Sequence, residues 1–132
     1  MKKQFTFSLI CCLIGTVSLS ANAQTTVFTC STEKHNIQVS KVDTNTYQYK
    51  SWNKPKSIKD KPDMDLKTST IDSVGSCQKY YKFKTGNVEF EVTNQWSCLG
   101  KGESPPESAK GATGDLYVRI KGELKSHYYC YK

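Results

Sequence analysis

The stretch that most constrains the fold runs from Cys77 to Cys98. Val88, Phe90, Val92 and Trp96 fall on even positions, with Glu89, Glu91, Thr93 and Gln95 between them. That alternation predicts a strand with one buried and one wet face. Ahead of Thr85-Gly86-Asn87, Tyr81 and Phe83 alternate in the same way with Tyr80, Lys82 and Lys84. Gly-Asn suits a two-residue hairpin turn. A turn there sets Phe83 opposite Phe90 and Tyr81 opposite Val92, with Lys84–Glu89 and Lys82–Glu91 pairs on the other face. A turn at Thr85-Gly86 slides the register by two residues and keeps the same faces. The Cys77–Cys98 stretch is therefore read as a hairpin with a cysteine at each end.

The chain opens with Met1-Lys2-Lys3, an apolar run from Phe5 to Leu19 and then Ala21-Asn22-Ala23. A basic start, a short apolar segment and small residues at −3 and −1 predict a secretory signal peptide over 1–23, cut after Ala23. One exported domain, 24–132, is the expected remainder. Cys11 and Cys12 leave with the signal, so four cysteines remain: Cys30, Cys77, Cys98 and Cys130. An even number in a small exported domain reads as disulfides, and four cysteines allow three pairings. Cys77–Cys98 closes the open end of the hairpin, and Cys30–Cys130 ties the first strand to the last. Each would stabilise by about 3–5 kcal/mol in the chain-entropy model. The cysteines and histidines lack the close spacing of a metal site, and no cofactor is expected.

Strands are also expected over Thr26–Ser31, Ile37–Val42, Thr46–Ser51 and Asp65–Ile71, the last as an edge strand. Val39 should pair with Tyr49 and Lys41 with Tyr47 across Asp43-Thr44-Asn45. Near the C-terminus, a three-residue loop at Lys121-Gly122-Glu123 would pair Ile120 with Leu124, Val118 with Ser126 and Leu116 with Tyr128. No segment after the signal shows helical spacing. The fold class is all-β, a small antiparallel barrel or sandwich of about seven or eight strands. No second apolar segment is long enough to span a membrane.

Few catalytic classes fit. There is no G-x-S-x-G, no H-E-x-x-H and no phosphate-binding glycine loop. His35 and His127 are the two histidines, and a small hydrolase would have to use them as acid or base. His35 is expected in a turn, and His127 at a wet strand position. Of 19 basic residues, Lys2 and Lys3 leave with the signal, so 17 face 12 acids and the exported domain carries +5. That charge is moderate and argues against nucleic acid as the partner. It leaves weak contact with an anionic lipid or polysaccharide surface as an alternative. Two segments read as surface loops, Trp52–Met64 and Leu99–Ala112. Trp52, Lys54, Lys56, Lys59, Lys61, Lys101 and Lys110 within them are the candidate partner-binding residues.

In layout the chain resembles the small periplasmic and membrane-bound inhibitors of C-type lysozyme. The likeness rests on Phe28-Thr-Cys30 soon after the signal, Ile37-Gln-Val39 and the terminal Tyr128-Tyr-Cys130. Ser73-Val-Gly75-Ser-Cys77-Gln-Lys-Tyr80 and Trp96-Ser-Cys98-Leu-Gly100-Lys-Gly102 stand where that family carries Ser-Gly-x-x-Tyr and Trp-x-x-Lys-Gly-like segments, with altered spacing. The resemblance implies a non-enzymatic binding protein, whose partner is another protein in the envelope or outside the cell, such as a lysozyme; exported proteins of similar size also serve as immunity partners of secreted toxins, which makes a toxin the other expected partner.

Overall fold

The computed structural model describes residues 24–132; the expected signal segment and its cut after Ala23 lie outside them. Nine strands form two antiparallel sheets. β1 (Thr25–Ser31), β2 (His35–Lys41), β3 (Tyr47–Asn53) and β4 (Met64–Thr68) pair in that order. β5 (Ile71–Val74), β6 (Gln78–Thr85), β7 (Val88–Thr93), β8 (Gly114–Ile120) and β9 (Glu123–Cys130) form the second sheet, also in chain order. The sheets do not close into a barrel. Along one side, β1 and β9 meet at the single bridge Ser31–Tyr131, beside the disulfide Cys30–Cys130. The fold is a sandwich, and its interior is filled from both sheets by Ile37, Val39, Tyr49, Phe83, Val92 and Leu116. Full burial of such side chains contributes about 1.5–3 kcal/mol each. Tyr49 holds the two layers together, packing on both Phe83 and Phe90 with ring centroids 5.3 and 5.4 Å apart.

The β6–β7 hairpin takes the expected register, with Phe83 opposite Phe90, Tyr81 opposite Val92, and Lys84 and Lys82 opposite Glu89 and Glu91. Gly86 has φ +57°, which fits the first corner of a type II′ turn. Val39–Tyr49 and Lys41–Tyr47 also pair as expected. Both disulfides, Cys30–Cys130 and Cys77–Cys98, are present.

Four expectations are corrected. β7 stops at Thr93, and Gln95–Cys98 is a 3₁₀ turn. The Asn94 side chain ends the ladder by accepting a hydrogen bond from the Lys79 N–H at 2.8 Å and donating to the Cys77 carbonyl. Trp96 is thus half-buried off the strand. The segment expected as one edge strand, Asp65–Ile71, instead divides between the sheets as β4 and β5. At the crossing the Thr70 N–H donates to Thr68 Oγ1, and the Lys82 N–H reaches the Thr70 carbonyl. The last hairpin turns on two residues, Lys121 and Gly122, both at positive φ. A bulge after Val118 then restores the faces, so Ile120 pairs with Glu123 rather than Leu124. Leu124 lies opposite Arg119 and is 55% exposed. Finally, His35 is the first residue of β2 rather than a turn residue. The turn before it is closed by Thr32, whose Oγ1 accepts from the N–H groups of Lys34 and His35.

One glycine is fixed by a close approach. A Cβ on Gly114 would sit 1.8 Å from the Thr93 carbonyl oxygen and 3.0 Å from Phe28 Cζ. Gly114→Ala is expected to lower the unfolding free energy by about 3 kcal/mol, the upper end of the overpacking range. Urea denaturation checks this; a loss below about 1 kcal/mol would show that β7 and β8 separate easily.

Candidate functional site

Each sheet has a long loop folded over its outer face. Trp52 alternates with the inward-facing Ser51 and lies beside Asn36, on the outer face of the four-stranded sheet. It is nevertheless only 2% exposed, because the loop between β3 and β4 covers it. The indole N–H donates to the Asp60 carbonyl at 2.7 Å. Two aspartates complete the clamp. The Asp60 carboxylate accepts from the Ser57 N–H, and Asp63 accepts from the Asn53 N–H, each at 2.7 Å. Asp63 also pairs with Lys56 at 2.5 Å. The Lys56 ammonium and the Asn53 N–H together hold the Asp63 carboxyl below the usual carboxylate range. The Lys54 N–H donates to the Lys34 carbonyl, and Asn36 donates to the Lys56 carbonyl. The Lys54–Pro55 peptide is cis.

The tip of this loop is a turn, Ser57-Ile58-Lys59-Asp60, with the Asp60 N–H donating to the Ser57 carbonyl at 3.0 Å. Ile58 stands at its corner, 60% exposed, and Lys54, Lys56, Lys59 and Lys61 are exposed along the loop, with the Lys54 ammonium donating to Ser31 Oγ at 3.0 Å. The loop is thus cationic, held by Trp52, by its own aspartates and by contacts to Lys34 and Asn36, and carries one apolar side chain at its tip. Of the candidate residues, Trp52 lies beneath the loop as its anchor and is not offered to a partner. Lys101 and Lys110 are exposed on the second loop, where Lys110 pairs with Glu107 at 3.7 Å. The structure does not gather them with the first four. The second loop runs along the five-stranded sheet, where Ser108 is hydrogen-bonded to Tyr129.

On that sheet's outer face lies a polar cluster. Asp115 is fully buried and bonded to His127 Nε2 at 2.5 Å, and it accepts a second hydrogen bond from Gln95. Tyr117 stacks on the His127 ring at 4.7 Å, and Tyr129 meets it edge-on at 4.8 Å. Arg119 bridges Glu89 and Glu91, each at 3.5 Å, joining the lysine–glutamate rows of the hairpin. A buried carboxylate needs such donors, and His127 supplies one. Among the described residues, the hydrogen bond of the His127 side chain is the one to Asp115. His35 packs edge-on against Tyr128, with centroids 5.9 Å apart, on the inner face of the same sheet. The sheet therefore lies between the two histidines, and they do not form an acid–base pair. Among the described residues, no helix is long and apolar enough to cross a membrane. The Ser73–Tyr80 and Trp96–Gly102 segments are tied together by Cys77–Cys98.

Burial, reinforced by the Lys34 ammonium, lowers the His35 pKa below its ordinary 6.5. The folded state thus favours neutral imidazole, while an unfolded histidine takes up its proton near 6.5. Stability from this group is complete above that pH and is lost as pH falls through the folded value. The stability difference between the wild type and His35→Phe should shrink between pH 7 and 5 in denaturant titrations. An unchanged difference would remove His35 as a source of acid sensitivity.

Fold and site together define a disulfide-stapled antiparallel β-sandwich with an ordered cationic loop. No protein-family model matches the chain, and neither a curated protein nor a solved structure matches it.

Proposed function

We propose that this is an exported, non-enzymatic binding module that docks the Asn53–Asp63 loop into an acidic surface of a partner protein, such as the cleft of a lysozyme or a secreted toxin. One observation carries the reading: a loop held by many hydrogen bonds presents exposed Ile58 in a segment that also carries the exposed Lys59 and Lys61. A loop fixed in advance gives up less conformational entropy on binding. An apolar anchor seated in a partner pocket supplies affinity, and the lysines speed encounter with an acidic face. Lys59 and Lys61 form no ion pair among the described residues, so their charge is free to face outward.

A photo-crosslinking residue at position 58, with one at the comparably exposed Leu124 as control, tests this in intact cells. The reading expects an acidic protein crosslinked from position 58 alone, and loss of that product in Lys59→Glu/Lys61→Glu. Equal products from both positions, or none from position 58, would overturn it. Binding of the purified domain to anionic vesicles, lost in the same double variant, would instead favour an envelope-surface module binding lipid through these lysines.

A further inference from the structure

β1 is an unguarded edge. Its seven residues, Thr-Thr-Val-Phe-Thr-Cys-Ser, carry no charge, whereas β4, at the other edge of the same sheet, carries Asp65 and Lys67. Charges on an edge strand are a common guard against strand pairing. Among the described residues, β1 meets β9 at one bridge, where Ser31 and Tyr131 exchange N–H···O bonds of 2.8 and 3.0 Å. Backbone groups alternate in direction along a strand, so the Thr29 N–H and carbonyl point to the same side, into the space beyond Tyr131. A groove of about 310 Å³ lies there, with Thr26, Val27, Phe28 and Thr29 on one side and Asn94, Ser97 and Thr113 on the other. Four consecutive residues of one strand line it, so it follows the edge rather than either face. A recess of about 190 Å³ adjoins it at Thr29 and is flanked by Ile58 and Tyr131. Lys132 lines both, and no acidic residue lines either.

We propose that the β1 edge binds a short extended segment of a partner protein as an added antiparallel strand in line with β9. One residue of the segment exchanges hydrogen bonds with Thr29. Its side chain is apolar and enters the recess beside Ile58 and Tyr131, and acidic residues flank it near Lys132. The side chain falls there because cross-strand neighbours share a face. Thr29 faces outward, since Phe28 and Cys30 on either side of it pack into the core. Paired strands lie about 4.8 Å apart. The far wall at Asn94, Ser97 and Thr113 therefore admits one strand but not the whole sheet of a second copy. The bulge between Thr26 and Phe28 interrupts the straight edge and keeps the bound segment short. In such an addition the main-chain bonds supply affinity and the side-chain recess supplies selectivity. This site does not require the Asn53–Asp63 loop to enter a partner cleft.

The test is a 15N and methyl NMR titration of the 24–132 domain with the end-blocked pentapeptide Glu-Thr-Leu-Thr-Glu and with its analogue N-methylated at leucine. The first peptide should give saturable shifts at Thr29 and Ile58 and slow the hydrogen exchange of the Thr29 amide. Methylation removes the N–H that donates to the Thr29 carbonyl, so the analogue should bind more than about tenfold more weakly. Thr29→Pro deletes an N–H that the β1–β2 ladder does not use, and it should weaken the first peptide to a similar degree. The wild-type comparison of the two peptides stands even if that variant fails to fold. Absence of saturable shifts with the first peptide, equal affinity for both peptides, or unchanged binding by folded Thr29→Pro would each overturn the proposal. So would a dimer in analytical ultracentrifugation that Thr29→Pro abolishes, since a second copy would then occupy the edge.

Discussion

Replacing Cys30 and Cys130 together with alanine is expected to lower the unfolding free energy by about 4–5 kcal/mol. The bridge joins residues 100 apart in sequence, so its loss frees nearly the whole of residues 24–132 in the unfolded state. It also removes a staple between β1 and β9 at the edge where the sheets otherwise share one bridge, Ser31–Tyr131. Cys30 and Cys130 are buried in the core, so alanine leaves small voids as well. Against a total of about 5–15 kcal/mol for a typical domain, that loss alone should bring the protein close to unfolding at body temperature. Cys77–Cys98 closes a separation of only 21, and its removal should cost about 3 kcal/mol. Urea melts of the two double variants give the order directly. The reverse order would mean that chain entropy does not govern these bridges.

Trp52→Ala is expected to cost about 3–5 kcal/mol, the range for truncating a buried aromatic side chain, and to release the loop above it. The indole fills the space between the four-stranded sheet and the loop, and its N–H holds the Asp60 carbonyl. Trp52→Phe separates the two contributions. It keeps most of the apolar contact and leaves the carbonyl unpaired, so a loss of about 1 kcal/mol is expected. Differential scanning calorimetry supplies the stabilities. The 15N relaxation of residues 57–60 should show faster motion in Trp52→Ala and little change in Trp52→Phe. If Trp52→Ala leaves the loop as rigid as before, the Asp60 and Asp63 carboxylates hold it unaided.

Much of this architecture was legible in the residues. Alternation in Tyr81–Val92 fixes faces because it acts locally, whereas the register stayed open between turns at Gly86-Asn87 and Thr85-Gly86 until the structure placed it at the first. Cysteine pairing followed from the same strand order. Elsewhere side chains override the local pattern. Asn94 caps the end of a ladder that the even positions seemed to carry on to Trp96. Thr68 and Thr70 turn one apparent strand into two on different sheets. A bulge, which leaves no mark in an alternating pattern, turned Leu124 outward. Trp52 looked like a surface aromatic because a loop of lysines and prolines follows it. What makes it buried is a hydrogen bond to a backbone carbonyl eight residues on. Ile58 was visible as the one aliphatic residue in Asn53–Asp63, yet only the turn geometry exposes it at the tip. Asp115 carried no sequence signal, since its partners Gln95 and His127 are distant along the chain.

Docking through the Asn53–Asp63 loop requires that loop to be ordered before any partner arrives. Backbone 15N order parameters of the free 24–132 domain at Ile58 and Lys59 test this most directly. Values near about 0.85, as in rigid backbone, are expected, and values below about 0.6 would contradict a preformed binding loop.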